Sequence, residues 1–135
     1  MVVLDASVVI KWFCEEEGGG EALVYQQRHL SGELIHVPDL LLYEVANVLS
    51  CKPGILIAYV TEVLDILKKM NLIIHWPSFE GISRSAEIAG NLKIPVYDAA
   101  YLALAADLGA VFVTADQKLA AKCEKDYRTT FLSSS

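Results

Sequence analysis

The sequence predicts an α/β protein: a three-layer α/β/α sandwich around a mostly parallel central sheet. Three observations carry this. Short, nearly continuous apolar runs alternate with longer segments of helical periodicity, and strands apolar on both faces belong to sheets covered on both sides. Pro38, Pro53, Pro77 and Pro95 mark the boundaries or first turns of those segments. Acidic residues stand at or just past the ends of apolar runs, the edge at which open α/β sheets bind their ligands.

The elements follow in order. VVL at 2–4 reads as a strand closed by Asp5, and the apolar spacing of the next residues predicts a helix over about 7–14. Three glutamates at 15–17 and three glycines at 18–20 form a solvated loop, since the acids would oppose the negative end of the preceding helix. A helix over about 20–30 leads to the strand LIHV at 34–37, and Pro38 introduces a helix over about 39–50. The segment at about 54–70 is an amphipathic helix with Leu56, Tyr59, Val60, Val63, Leu64 and Leu67 on one stripe, which faces the core or, alternatively, a partner. The strand LIIH at 72–75 precedes Pro77 and a helix over about 79–91. Past Ile94 and Pro95 a helix runs over about 97–108 and passes through Leu108–Gly109–Ala110 into the strand VFVT at 111–114. A helix over about 116–124 and a closing strand TTFL at 129–132 complete the chain.

At 135 residues the chain is most simply a single domain spanning 1–135, long enough to fold without disulfides. Its hydrophobic content of 54% is high for a small domain, yet no apolar run approaches the roughly 18–20 residues of a membrane span. The excess apolar surface is expected to meet a partner or a second copy. The N-terminus opens on a strand-like segment with no basic secretory region or lipidation signal, which predicts a cytoplasmic protein with no membrane association. Cys14, Cys51 and Cys123 are odd in number and widely spaced, so they read as reduced thiols rather than a zinc site. His29 and His36 are remote from any acidic motif and His75 ends an apolar run; structural roles are expected for all three. A net charge of −6 argues against passive nucleic-acid binding, which needs clustered lysine and arginine. An acidic chain can still process nucleic acid if a divalent metal, rather than a basic patch, meets the phosphate.

Four acids carry the chemistry: Asp5, Glu44, Asp98 and Asp116. Asp5 and Asp116 fall past the ends of the first and fourth strands, hence on one edge if those strands are parallel. Asp98 opens a helix whose first turn reaches the same edge. Each aspartate also suits a helix cap or first turn worth about 1 kcal/mol, and both readings stand. Glu44 has no capping role, for it lies mid-helix among leucines, valines and alanines, where it forms with Asn47 a narrow polar stripe. Ser7 and Thr114 each stand two residues from an aspartate, placed either to orient a carboxylate or to serve as turn residues. Clustered carboxylates without imidazole or thiolate select Mg²⁺ or Mn²⁺. One ion, or a pair roughly 4 Å apart, would activate water for in-line displacement at a phosphodiester.

The four segments VVLDASVVIKWF, VPDLLLYEVANVL, IPVYDAAYLALAADLGA and VFVTADQKL resemble, in order and spacing, the PIN domain and within it the VapC-like toxins of toxin–antitoxin pairs. The likeness covers the chain almost end to end. It implies a PIN-like fold and a metal-dependent ribonuclease whose acidic site matches Asp5, Glu44, Asp98 and Asp116, with Ser7, Asn47 and Thr114 in support. It also implies an RNA substrate, a cognate antitoxin whose C-terminal segment occludes the cleft, and a homodimer or larger homo-oligomer. Gln117 and Lys118 depart from the pattern, standing where some relatives carry a further acid, which bears on a second ion. Lys11 and Lys118 are either phosphate contacts or solvated lysines.

The resulting expectation is an Mg²⁺- or Mn²⁺-dependent endoribonuclease, with a catalytically weak PIN-like scaffold in an RNA-processing complex as the alternative. A receiver-type signalling domain fits poorly, because the third strand ends in LIIHWP without an aspartate. A haloacid-dehalogenase-like phosphatase needs a second aspartate two residues after the first, where Ser7 stands.

Overall fold

The computed structural model describes residues 1–14 and 19–132. Of the solvated loop expected at 15–20, residues 15–18 lie outside them, as does the tail at 133–135, whereas Gly19 and Gly20 are not loop but the first turn of a helix. Five strands, β1 (Val2–Leu4), β2 (Ile35–Pro38), β3 (Ile73–His75), β4 (Val111–Thr114) and β5 (Thr129–Phe131), form one sheet in the order β3-β2-β1-β4-β5. All four pairings are parallel, so the expected mostly parallel sheet is wholly so. The helices are α1 (Ala6–Val9), α2 (Gly19–Leu30), α3 (Leu40–Cys51), α4 (Ile57–Lys69), α5 (Phe79–Leu92), α6 (Val96–Leu108) and α7 (Gln117–Cys123).

The path from β1 to β2 to β3 proceeds one way across the sheet, and the chain then returns past β1 to β4 and β5. Right-handed crossovers put the helices of the first half on one face and those of the second half on the other. The packing agrees: α3 lies against α1, α4 and β2, whereas α6 lies against α5, β1, β2 and β4. β1 and β4 therefore flank the point where strand order reverses.

Element boundaries follow local chemistry. The helix expected over 7–14 is only four residues of α-helix, followed by a tighter 3₁₀ turn at Ile10–Trp12. There Trp12 Nε1 donates to Ala22 O at 2.8 Å, holding the turn against α2. The helix expected from 54 begins at Ile57, because Gly54 takes a positive φ of 81° that ends the preceding turn. Its buried stripe is Val60, Val63 and Leu67, while Leu56 is solvent-exposed. The α6 helix closes on Gly109 at φ 64°, with Ala110 N donating to Ala105 O at 2.9 Å, a left-handed cap that turns the chain into β4.

The core lies on both faces of β1, β2 and β4, with Val3, Leu4, Val37, Phe112 and Val113 meeting Leu41, Val45 and Leu49 of α3 and Leu102 of α6. The histidines make structural contacts. His29 Nδ1 accepts from Ile35 N at 2.9 Å, so its Nε2 carries the proton toward Met70 O at 2.7 Å. His36 Nδ1 and His75 Nε2 share a proton at 2.8 Å across β2 and β3. Cys14, Cys51 and Cys123 are free thiols. No helix among the described residues is long and apolar enough to cross a membrane.

Leu41 is fully buried where α3 meets the sheet. Leu41→Ala should lower unfolding free energy by about 2–5 kcal/mol, read from urea titrations. A change below about 0.5 kcal/mol, the range of surface substitutions, would contradict this packing.

Candidate active site

The reversal of strand order between β1 and β4 opens a crevice at the carboxyl edge of the sheet. Asp5 is the first residue past β1, and its backbone N donates to Val113 O of β4 at 3.3 Å. Its side chain turns inward and is 7% exposed. Oδ1 accepts from Ser7 Oγ at 2.5 Å and from Val8 N at 3.4 Å; Oδ2 accepts from Thr114 Oγ1 at 2.5 Å. Each hydroxyl is itself fixed from the β4–α7 turn. Ala115 N donates to Ser7 Oγ at 2.9 Å and Asp116 N to Thr114 Oγ1 at 3.0 Å. A hydroxyl has one proton to give, so with both protons committed to Asp5 the 3.4 Å Ser7–Thr114 contact carries none. Burial pushes the Asp5 carboxyl up to about 6, against the lowering effect of these donors, and the charge of Asp98 adds to the rise.

Asp5 lines a cleft of about 390 Å³ together with Glu44, Asp98 and Asp116. Glu44, half-buried on α3, accepts from the Tyr101 hydroxyl through Oε1 at 2.5 Å. Burial raises its carboxyl, with Asp98 adding to the rise and Tyr101 opposing it. Asp98 lies in the first turn of α6, whose N-cap is Pro95; burial and then the charge of Asp116 raise its carboxyl. Asp116 Oδ1 accepts from Leu119 N at 3.1 Å and caps α7. Capping and site placement therefore coexist in Asp5 and Asp116, whereas Asp98 makes no cap bond to its own helix.

Ser7 lines the cleft and Thr114 is buried behind Asp5. Asn47 is not brought in: it is solvent-exposed and accepts from Cys51 Sγ at 3.8 Å. The helix face continues from Glu44 to Val48, four residues on, and Val48 takes the wall position. Lys11 also lines the cleft, while Lys118 does not. Tyr101, within the segment YDAAYLALA, is a site residue that the sequence pattern alone does not single out. Its signal was a hydroxyl-bearing ring three residues from Asp98 on an otherwise apolar helix, where a buried phenol needs a partner. Burial and then Glu44 hold that phenol well above its ordinary value, so it remains a donor. Two hollows of about 440 and 690 Å³ on either side of Trp76 contain none of the four acids.

Four carboxylates form a hard, oxygen-donor set suited to a divalent cation. Burial and mutual repulsion of Asp5, Glu44 and Asp98 give such an ion something to relieve. Cys123 adds no thiolate, since burial and the nearby acids push its thiol up to about 11. Among the described residues, no three histidine, cysteine or acidic side chains are already drawn to the spacing of one ion. Both Asp5 oxygens and one of Glu44 are engaged by hydroxyl groups. The donor chemistry fits a metal; closing round it requires side-chain rotation.

A family profile described as PIN domain matches residues 2–125. The chain is 32% identical over 126 residues to Ribonuclease VapC3 of Pyrobaculum aerophilum, covering 90% of this chain and 93% of that protein. VapC20 of Mycobacterium tuberculosis, described as a sarcin-ricin loop cleaving toxin, superposes with a TM-score of 0.71 at 12% identity, covering 94% of this chain and 96% of its own. VapBC2 of Rickettsia felis, solved with a promoter DNA fragment, superposes with a TM-score of 0.69 at 16% identity over 94% and 93% of the two chains. At those identities the two structures speak for the fold.

The Asp5 carboxyl near 6, against 3.8 in the free residue, has a consequence for stability. Between those values the folded protein keeps a proton that the unfolded chain releases, so Asp5 makes stability fall as pH rises through that window. The component is on the order of 3 kcal/mol and is fully lost above the folded value. Urea titrations in EDTA from about pH 4.5 to 7.5 should show a steeper decline in the parent than in Asp5→Asn, which keeps only the share of the other raised acids, Glu44 and Asp98. Identical pH slopes would mean that Asp5 is not buried as described.

Proposed function

The chain belongs to the PIN domain family, and from that membership we propose that it is a metal-dependent endoribonuclease, the toxin of a VapBC-type toxin–antitoxin pair. The observation that carries this reading is the convergence of Asp5, Glu44, Asp98 and Asp116 on one cleft at the strand-order reversal. The relative named Ribonuclease VapC3 supports RNA as the substrate. The four acids would hold Mg²⁺ or Mn²⁺, and that ion would supply polarisation of the phosphodiester and acidification of water.

The chain's own residues do the rest. Ser7 and Thr114 fix the Asp5 carboxylate, and Asp116 brings its charge to the rim while capping α7. Asp98 brings a half-buried carboxyl from the first turn of α6 to the same set, one member of which aligns or deprotonates the attacking water. Lys11 on the cleft wall meets the substrate phosphate. The protein acts in the cytoplasm as a homodimer or larger assembly and is restrained by a cognate antitoxin. In support, Leu56 and Ile57 at the start of α4 and Trp76 and Phe79 beside β3 are each more than 70% exposed, apolar side chains available for protein contacts. A weakly active scaffold is the second reading, favoured by the engagement of both Asp5 oxygens.

A pool of structured RNAs incubated with Mn²⁺ or Mg²⁺ should be cut at discrete positions, and EDTA should abolish the cuts. Asp5→Asn and Asp116→Asn should each reduce cleavage by about 100-fold or more while circular dichroism stays unchanged. Cleavage by either variant at the parental rate would defeat the shared-metal reading; Mn²⁺ binding without cleavage of any RNA would favour the scaffold. Light scattering should return at least twice the 14.8 kDa chain mass.

A further inference from the structure

Asp98 and Tyr101 stand three residues apart on α6 and so share a face of that helix. The Tyr101 ring is buried and lies 6.3 Å from that of Phe112 on β4. Packing of this kind fixes where its hydroxyl points, and the hydroxyl donates to Glu44 Oε1 on α3. α3 belongs to the layer of α1 and α4, α6 to that of α5. The bond thus links the two helical layers at the open edge of the sheet, beside the cleft that both residues line. Glu44 has a long side chain with several rotamers to choose among; a partner held in the core removes that choice.

Resting on the metal-nuclease reading above, we infer that Tyr101 is a positioning residue for the metal site. By occupying Oε1 of Glu44 it presents Oε2 to the ion and sets the reach between the carboxylates of α3 and α6. It acts through Glu44 and touches neither metal nor RNA. Partners of metal ligands commonly control metal affinity in this way.

Tyr101→Phe removes one oxygen and keeps the buried ring, so folding, checked by circular dichroism and a urea titration, is retained. Calorimetric titration of the metal-free protein with Mn²⁺ should show a Kd weakened by roughly 10- to 100-fold in the variant. RNA cleavage should fall at limiting Mn²⁺ and return at saturating Mn²⁺, which a general structural defect would not allow. Combined with Glu44→Gln, Tyr101→Phe should cause little further loss of Mn²⁺ affinity, because the two changes break one unit. An unchanged Kd in Tyr101→Phe, a loss that adds in full to that of Glu44→Gln, or cleavage that saturating Mn²⁺ does not restore would overturn the positioning role while leaving the metal reading intact. Absence of Mn²⁺ binding by the parent would overturn both.

Discussion

A carboxylate buried between two parallel strands is the constraint on which the rest of this molecule turns. Asp5 follows β1 directly, where the chain can neither expose the side chain to bulk water nor leave it without donors. It is met by Ser7 from its own helix and by Thr114 from β4, both held in turn by amides of the β4–α7 turn. The network ties the first strand to the fourth through hydroxyl groups that satisfy one charge. Removing either hydroxyl would leave an acceptor short of a partner in a region with little access to solvent.

That arrangement works against stability. Asp98 adds its charge to the burial that raises both Asp5 and Glu44, and Asp116 acts likewise on Asp98. Such repulsion is not needed for the caps that Asp5 and Asp116 make, and it raises the cost of keeping the acids ionised together. It is understandable in a PIN domain, where a cation is expected to complete the site. The helix caps formed by Asp5 and Asp116 show how the arrangement is kept in place: each acid gives one oxygen to an amide of its helix and still faces the cleft.

Much of this was legible in the sequence because it is local. Apolar runs such as VVL and VFVT announce their strands, and an aspartate directly beyond such a run announces an edge. Parallel pairing then puts Asp5 and Asp116 on one edge, while the strand order that makes β1 and β4 neighbours is not written in either run. Local patterns failed where a distant group decides. The helix after Asp5 tightens into a 3₁₀ turn because the Trp12 indole seeks a carbonyl on α2. Glu44 and Asn47 share a polar stripe on paper, yet the turn of the helix carries the cleft wall to Val48. Tyr101 finds its partner 57 residues away, and the His36–His75 pair spans 39 residues. No periodicity encodes such pairs; they exist only once the sheet has set the layers.

The order of strands in the sheet also governs when the site comes into being. Asp5 is synthesised ahead of Thr114 and Asp116, which supply its second hydroxyl and the fourth acid and follow it by more than a hundred residues. Until β4 slides in beside β1, the nascent chain has an open strand edge and a carboxylate lacking part of its support. Assembly of the cleft waits on β4, so a product truncated before that strand would carry Asp5, Glu44 and Asp98 without the wall that brings Asp116 to them.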